Sequence, residues 1–219
     1  MKDSQIYERL STAGVVPVVA IDNVKSAVPM ADALLAGGLP VAEITFRTAA
    51  AAEVIQVLRR ERPQMWVGAG TILTVENLKR AIEAGASFGV APGLNPRVAK
   101  AAIEAGFPFS PGVMTPSEIE EALDMGLKVL KLFPAGAAGG VSYLKSVATP
   151  YAHTGVKFIP TGGITQANLK DYLELGLVLA AGGTWIATRD DIAAGRWDII
   201  RDRCRSAGEL VRQLRSKPA

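Results

Sequence analysis

The chain has 219 residues, 49% of them hydrophobic and 21% charged, enough for one globular domain with a substantial core. Its formal charge of +3 is a small difference between 24 basic and 21 acidic residues, and no aromatic run accompanies Arg201, Arg203, Arg205, Arg212 and Arg215 near the end, so no nucleic-acid partner is expected. One cysteine, Cys204, rules out an intrachain disulfide, and one histidine, His153, cannot build a His-rich metal site.

The N-terminus is charged and amphipathic where a signal peptide would be unbroken and apolar, and no run reaches the roughly 18 apolar residues of a membrane span. A cytoplasmic protein with no membrane partner is expected. Residues 4–13 have helical spacing and predict an extra helix that covers the bottom of the fold. Eight apolar bursts then predict strands at 15–21, 41–46, 66–69, 88–91, 109–110, 129–132, 157–160 and 178–181, with helical patterns between them. Gly85, Gly106 and Gly126 recur at intervals of about one helix plus one strand, as helix-ending glycines in repeated βα units. Strands that are apolar without alternation are buried on both faces, as in a parallel sheet. Eight such units predict an α/β fold, a (β/α)8 TIM barrel with an additional N-terminal helix, with an open doubly wound sheet as the alternative. No linker divides the chain, so residues 1–219 are expected to form a single domain.

Chemistry in such a barrel gathers at the C-terminal strand ends. The second strand ends AEITFRT, where Glu43, Thr45 and Arg47 share one face by period two; Glu43 and Arg47 could simply neutralise each other. The third ends VGAGT, with glycines that permit close approach and the hydroxyl of Thr71. The fourth and fifth end APG and SPG, where Pro92 and Pro111 fix the start of each loop, and TPSE at 115–118 reads as a capping box. The sixth contains Lys131, on the parity of Val129 and Phe133, and a lysine is rarely buried unless it is paired or used. The seventh and eighth end PTGGI and AAGGTW, two glycine pairs whose backbone N–H groups suit an anion. Lys131 would thus face a cavity shared with Glu43 and Arg47. Desolvation and a neighbouring cation favour the neutral amine, the form that attacks carbonyls, so a Schiff base is one outcome and a plain salt bridge to Glu43 the other.

The motifs AEITFRT, VGAGT, APGLNP, PGVMTPSE, KLFPA, PTGGI and GGTW resemble, in order and spacing, those of the KDPG/KHG aldolases. These class I enzymes cleave 2-keto-3-deoxy-6-phosphogluconate and 4-hydroxy-2-oxoglutarate. The resemblance implies a homotrimeric barrel acting on a small-molecule 2-keto acid, with no metal or organic cofactor. It implies that Lys131 forms the imine, that Glu43 is the general acid/base, and that Arg47 and Thr71 hold the pyruvate carboxylate. Phe133 and Pro92 would line the pocket, and Thr161, Gly162, Gly163, Gly183 and Thr184 would meet the distal phosphate. Thr184 replaces an expected serine, while Gly136 and Ala137 stand where larger or polar residues are usual, which predicts a less defined loop there. Two other classes fit parts of the pattern: a phosphate-binding barrel isomerase, and a catalytically silent oligomeric scaffold.

Overall fold

The computed structural model describes residues 3–216. In chain order the elements are α1 (Asp3–Ala13), β1 (Val15–Val19), α2 (Ala27–Ala36), β2 (Val41–Thr45), α3 (Ala51–Glu61), β3 (Trp66–Gly70), α4 (Val75–Glu83), β4 (Gly89–Val90), α5 (Pro96–Glu104), β5 (Phe109–Ser110), β6 (Gly112–Val113), α6 (Pro116–Asp124), β7 (Val129–Leu132), α7 (Gly140–Ala148), β8 (Lys157–Pro160), α8 (Leu169–Leu173), β9 (Ala181–Gly183), α9 (Arg189–Ala193) and α10 (Trp197–Arg215). Local chemistry explains their limits. Thr74, Asn95 and Thr115 cap α4, α5 and α6, and Thr115 with Glu118 forms the capping box expected from TPSE. The same three helices end alike: Ala86, Phe107 and Leu127 donate back to Ala81, Ala102 and Ala122, each across a glycine at positive φ. This is the Schellman closure that the glycine spacing predicts.

All strand pairs are parallel, in the orders β5-β4-β3-β2-β1-β9 and β6-β7-β8, giving an α/β fold on a curled sheet. Side-chain parity sorts the core into two. Val15, Val19, Ala42, Ile44, Leu130 and Leu132 pack outward against the helices, whereas Val16, Val41 and Val129 join Ile6 and Leu10 of α1 in a separate buried cluster. The next inward residues along these strands are Val18, Glu43 and Lys131, so the polar groups lie one layer above an apolar floor.

Several strands differ from expectation. The first stops at Val19 because hydroxyls occupy the carbonyls beyond it: Thr45 Oγ1 donates to the Val19 carbonyl at 3.0 Å and Thr48 Oγ1 to that of Ile21 at 2.8 Å. The last is Ala181–Gly183, later than 178–181, because Val178 bridges to Phe158 and Leu179 donates to Phe158, leaving β1 to pair from Ala181 onward. The fifth lies at Phe109–Ser110 as expected, but a further short strand, Gly112–Val113, follows Pro111, which has no N–H to donate. Among the described residues no helix is long and apolar enough to cross a membrane.

Helix α10 carries the arginine-rich stretch. Arg201 and Arg205 pair with Asp198 and Asp202 on its solvent side, while Cys204 is buried, its thiol pushed up to about 12 by desolvation. Arg203 reaches inward instead: it bonds both Asp191 and the carbonyl of Trp185, the latter at 2.9 Å. Burial acts to raise the pKa of Asp191, but hydrogen bonds from Thr188, Arg203 and Arg196 outweigh it and hold the carboxyl at about 2. Because the folded value lies below the ordinary 3.8, Asp191 contributes stability above about pH 4 that is lost as pH falls toward 2. Thermal unfolding of the wild type and Asp191→Asn should therefore differ at pH 6 and converge near pH 2; a gap constant with pH would contradict this network.

Candidate active site

Register places Lys131 between Gly112 and Ile159, and Glu43 between Val18 and Gly68. Both side chains point inward, where they are 5% and 3% exposed. Lys131 Nζ donates to Glu43 Oε1 at 3.2 Å and stands 5.6 Å from the ring centroid of Phe133. Desolvating two such ions costs several kcal/mol each, so the pair is a poor device for stability alone. Room for it is made by glycine. A Cβ on Gly70 would lie 2.1 Å from Glu43 Oε1, and one on Gly68 would lie 2.3 Å from the Phe88 ring. The glycines of VGAGT thus admit neighbouring side chains of the fold itself.

Arg47 does not pair with Glu43. Strand β2 ends at Thr45, so Arg47 lies in the following turn at the exposed rim, where its Nε donates to Thr45 Oγ1 at 3.3 Å; among the described residues it has no ion pair. Thr71, immediately after β3, has a φ of 59°. A β-branched residue in the left-handed region is strained by on the order of 1–3 kcal/mol, a cost that clusters at functional sites.

A cavity of about 200 Å³ brings these groups together, walled by Glu43, Thr45, Arg47, Thr71, Pro92 and Lys131, and further by Phe133, Thr161, Gly162, Thr184 and Val18. Thr45 was legible on the same face as Glu43, whereas Val18 carries no signal beyond its place on β1. Two expected residues stand outside this lining. Gly163, at φ 79°, packs against Gly136, whose Cα would lie 3.0 Å from any Cβ added there. Gly183 lies under Trp185, whose ring a Cβ would strike at 1.7 Å. The loop of Gly136 and Ala137 is defined, contrary to expectation: Ala135 and Gly136 donate to the carbonyls of Thr161 and Gly162 at 2.8 Å each. The small Gly136 is what lets the two loops approach.

Similarity to known proteins agrees with this geometry. The KDPG and KHG aldolase family model matches residues 6–203. The KHG/KDPG aldolase of Escherichia coli is 46% identical over 200 residues, 91% of this chain and 93% of that protein. Among solved structures, a KDPG aldolase from Legionella pneumophila, with pyruvate captured as a covalent carbinolamine intermediate, superposes with a TM-score of 0.88 at 36% identity, covering 92% of this chain and 97% of its own. The 2-keto-3-deoxy-6-phosphogluconate aldolase of Zymomonas mobilis, with 3-phosphoglycerate, gives 0.85 at 39% identity, covering 96% and 97%. With a family model spanning nearly the whole chain and relatives matched end to end at this identity, the chain belongs to the KDPG and KHG aldolase family.

Proposed function

We propose that the chain is a class I aldolase that cleaves 2-keto-3-deoxy-6-phosphogluconate to pyruvate and glyceraldehyde 3-phosphate, and 4-hydroxy-2-oxoglutarate to pyruvate and glyoxylate, through a Schiff base on Lys131. The observation that carries this reading is the buried pair, Lys131 Nζ at 3.2 Å from Glu43 Oε1 inside the cavity. An ammonium cannot attack a carbonyl, and Glu43 is the base within reach to take its proton. The free amine adds to the C2 carbonyl to give a carbinolamine, and loss of water leaves a protonated imine. Glu43 then removes the proton of the C4 hydroxyl, the C3–C4 bond breaks, and its electrons move into the imine as an enamine while the aldehyde departs. Protonation of C3 and hydrolysis release pyruvate and restore the amine. The imine is itself the electron sink, so the chemistry calls for neither metal nor organic cofactor.

Arg47 and Thr71 hold the pyruvate carboxylate in this reading: one supplies charge at the rim, the other a hydroxyl set by its strained backbone. Phe133 and Pro92 form apolar walls. Thr161, Gly162 and Thr184 meet the distal phosphate, with Gly163 and Gly183 supporting them. Support for covalent pyruvate comes from the Legionella relative, and for a phosphorylated ligand from the Zymomonas one.

The architecture is read as one domain whose two sheets close into a (β/α)8 barrel. Support comes from the bridges Phe158 to Val178 and Thr161 to Gly182, and from the near-continuity of β5 and β6 across Pro111. Helix α1 is then an addition that seals the base through Ile6 and Leu10. A homotrimer is in keeping with the exposed Leu73, Ile82 and Ile103 around α4 and α5. Steady-state release of pyruvate, coupled to lactate dehydrogenase, tests the function: turnover of both substrates is expected, and turnover of neither would refute it.

A further inference from the structure

A second cavity, of about 330 Å³, adjoins the one that holds Lys131 and shares Val18, Arg47 and Thr184 with it. Among the described residues no Asp or Glu lines this outer chamber, and its charged residues are Arg47 and Arg189. Two of its hydroxyls are already committed to the protein. The hydroxyl of Thr48 is committed to the Ile21 carbonyl and that of Thr188 to Asp191. Thr184 is exposed, and its side chain has no hydrogen bond among the described residues. A free hydroxyl beside two guanidinium groups suits an anion.

Arg189 is oriented. Its Nε and Nη2 donate to the two oxygens of Asp22 at 2.7 and 2.8 Å, a fork that fixes the guanidinium plane. Of the five N–H donors of an arginine, this fork uses two and leaves three. Asp22 lines a different, smaller cavity, so it braces Arg189 from outside the outer chamber. Both partners are well exposed, and such pairs contribute little to stability. Positioning is the better account of the fork.

We propose that Arg189, braced by Asp22, is a specificity-determining residue that contacts the distal anionic group of the substrate and favours a phosphate ester over a neutral hydroxyl. The inference rests on the aldolase reading above. Lys131 fixes the pyruvate half in the inner cavity, so the half that departs as an aldehyde extends away from it, past the shared walls. Gly162 and Thr184 offer that end neutral donors, and Arg189 adds the charge.

The test compares 2-keto-3-deoxy-6-phosphogluconate with its counterpart lacking the phosphate, as the ratio of their kcat/KM values. Arg189→Gln and Arg189→Ala should each lower the ratio by about tenfold or more, chiefly through KM of the phosphorylated substrate, the scale of a hydrogen bond to a charged group. Arg189→Lys should retain part of the preference, and Asp22→Asn should fall between the wild type and Arg189→Gln. Because Arg189 lies on the surface, these changes leave the core untouched. A ratio within about twofold of wild type in both Arg189→Gln and Arg189→Ala, with pyruvate still trapped by borohydride, overturns this proposal alone. Absence of the pyruvate adduct in the wild type would instead overturn the aldolase reading.

Discussion

Lys131→Met is expected to lower kcat for aldol cleavage by about 10⁴-fold or more, the scale seen when a covalent nucleophile is removed from a group that acts as a unit. Methionine keeps much of the unbranched length and removes the amine, so the cavity stays filled while the carbinolamine has no nitrogen to form on. A second effect separates this variant from a bland core change. Glu43 would be left buried without its cation, and breaking one partner of a buried pair costs about 3–5 kcal/mol. Near-normal turnover would remove Lys131 from the chemistry.

Glu43→Gln is expected to slow turnover by about 10²- to 10⁴-fold, the usual contribution of a positioned acid/base. The glutamine keeps the shape that Gly70 accommodates and an oxygen that can accept from Lys131 Nζ. It cannot carry a proton between Nζ, the C4 hydroxyl and C3. The variant should therefore still form the imine, only slowly, and the deficit should lie in kcat more than in KM. Single-turnover kinetics with excess enzyme would show the slow step directly. Turnover close to wild type would reassign Glu43 to a structural ion pair.

The parts of this site that were readable in sequence are those where one residue type is costly in its local setting. Lys131 stands out because VLKL is otherwise apolar, and the burial of β7 bears that out. Glu43 was equally visible, with two partners on offer: period two along AEITFRT gave Arg47, and the shared cavity gave Lys131, 88 residues away, which is the one observed. Local pattern cannot choose between them, because the choice depends on β2 ending at Thr45 and on the register that places Glu43 and Lys131 in one layer. The strained backbone of Thr71 left no mark either, since threonine is an unremarkable residue in VGAGT. Glycines marked close approach without naming the neighbour. Gly68 and Gly70, read as permitting it, make room for Phe88 and Glu43, while Gly163 and Gly183 lie against Gly136 and Trp185. A glycine announces close approach without saying what approaches. Helix limits were legible for the opposite reason: caps and Schellman closures are made by residues within one turn of each other.

Reduction with borohydride in the presence of pyruvate, followed by peptide mass spectrometry, bears most directly on the Schiff base. Lys131 is buried beside Glu43, whereas Lys128, on the edge of the same strand, is exposed and has no such acid. A single reduced three-carbon adduct on Lys131 is the expected result, absent when borohydride or pyruvate is omitted. An adduct on Lys128, or none at all in folded protein, would contradict the assignment of Lys131 as the imine-forming residue.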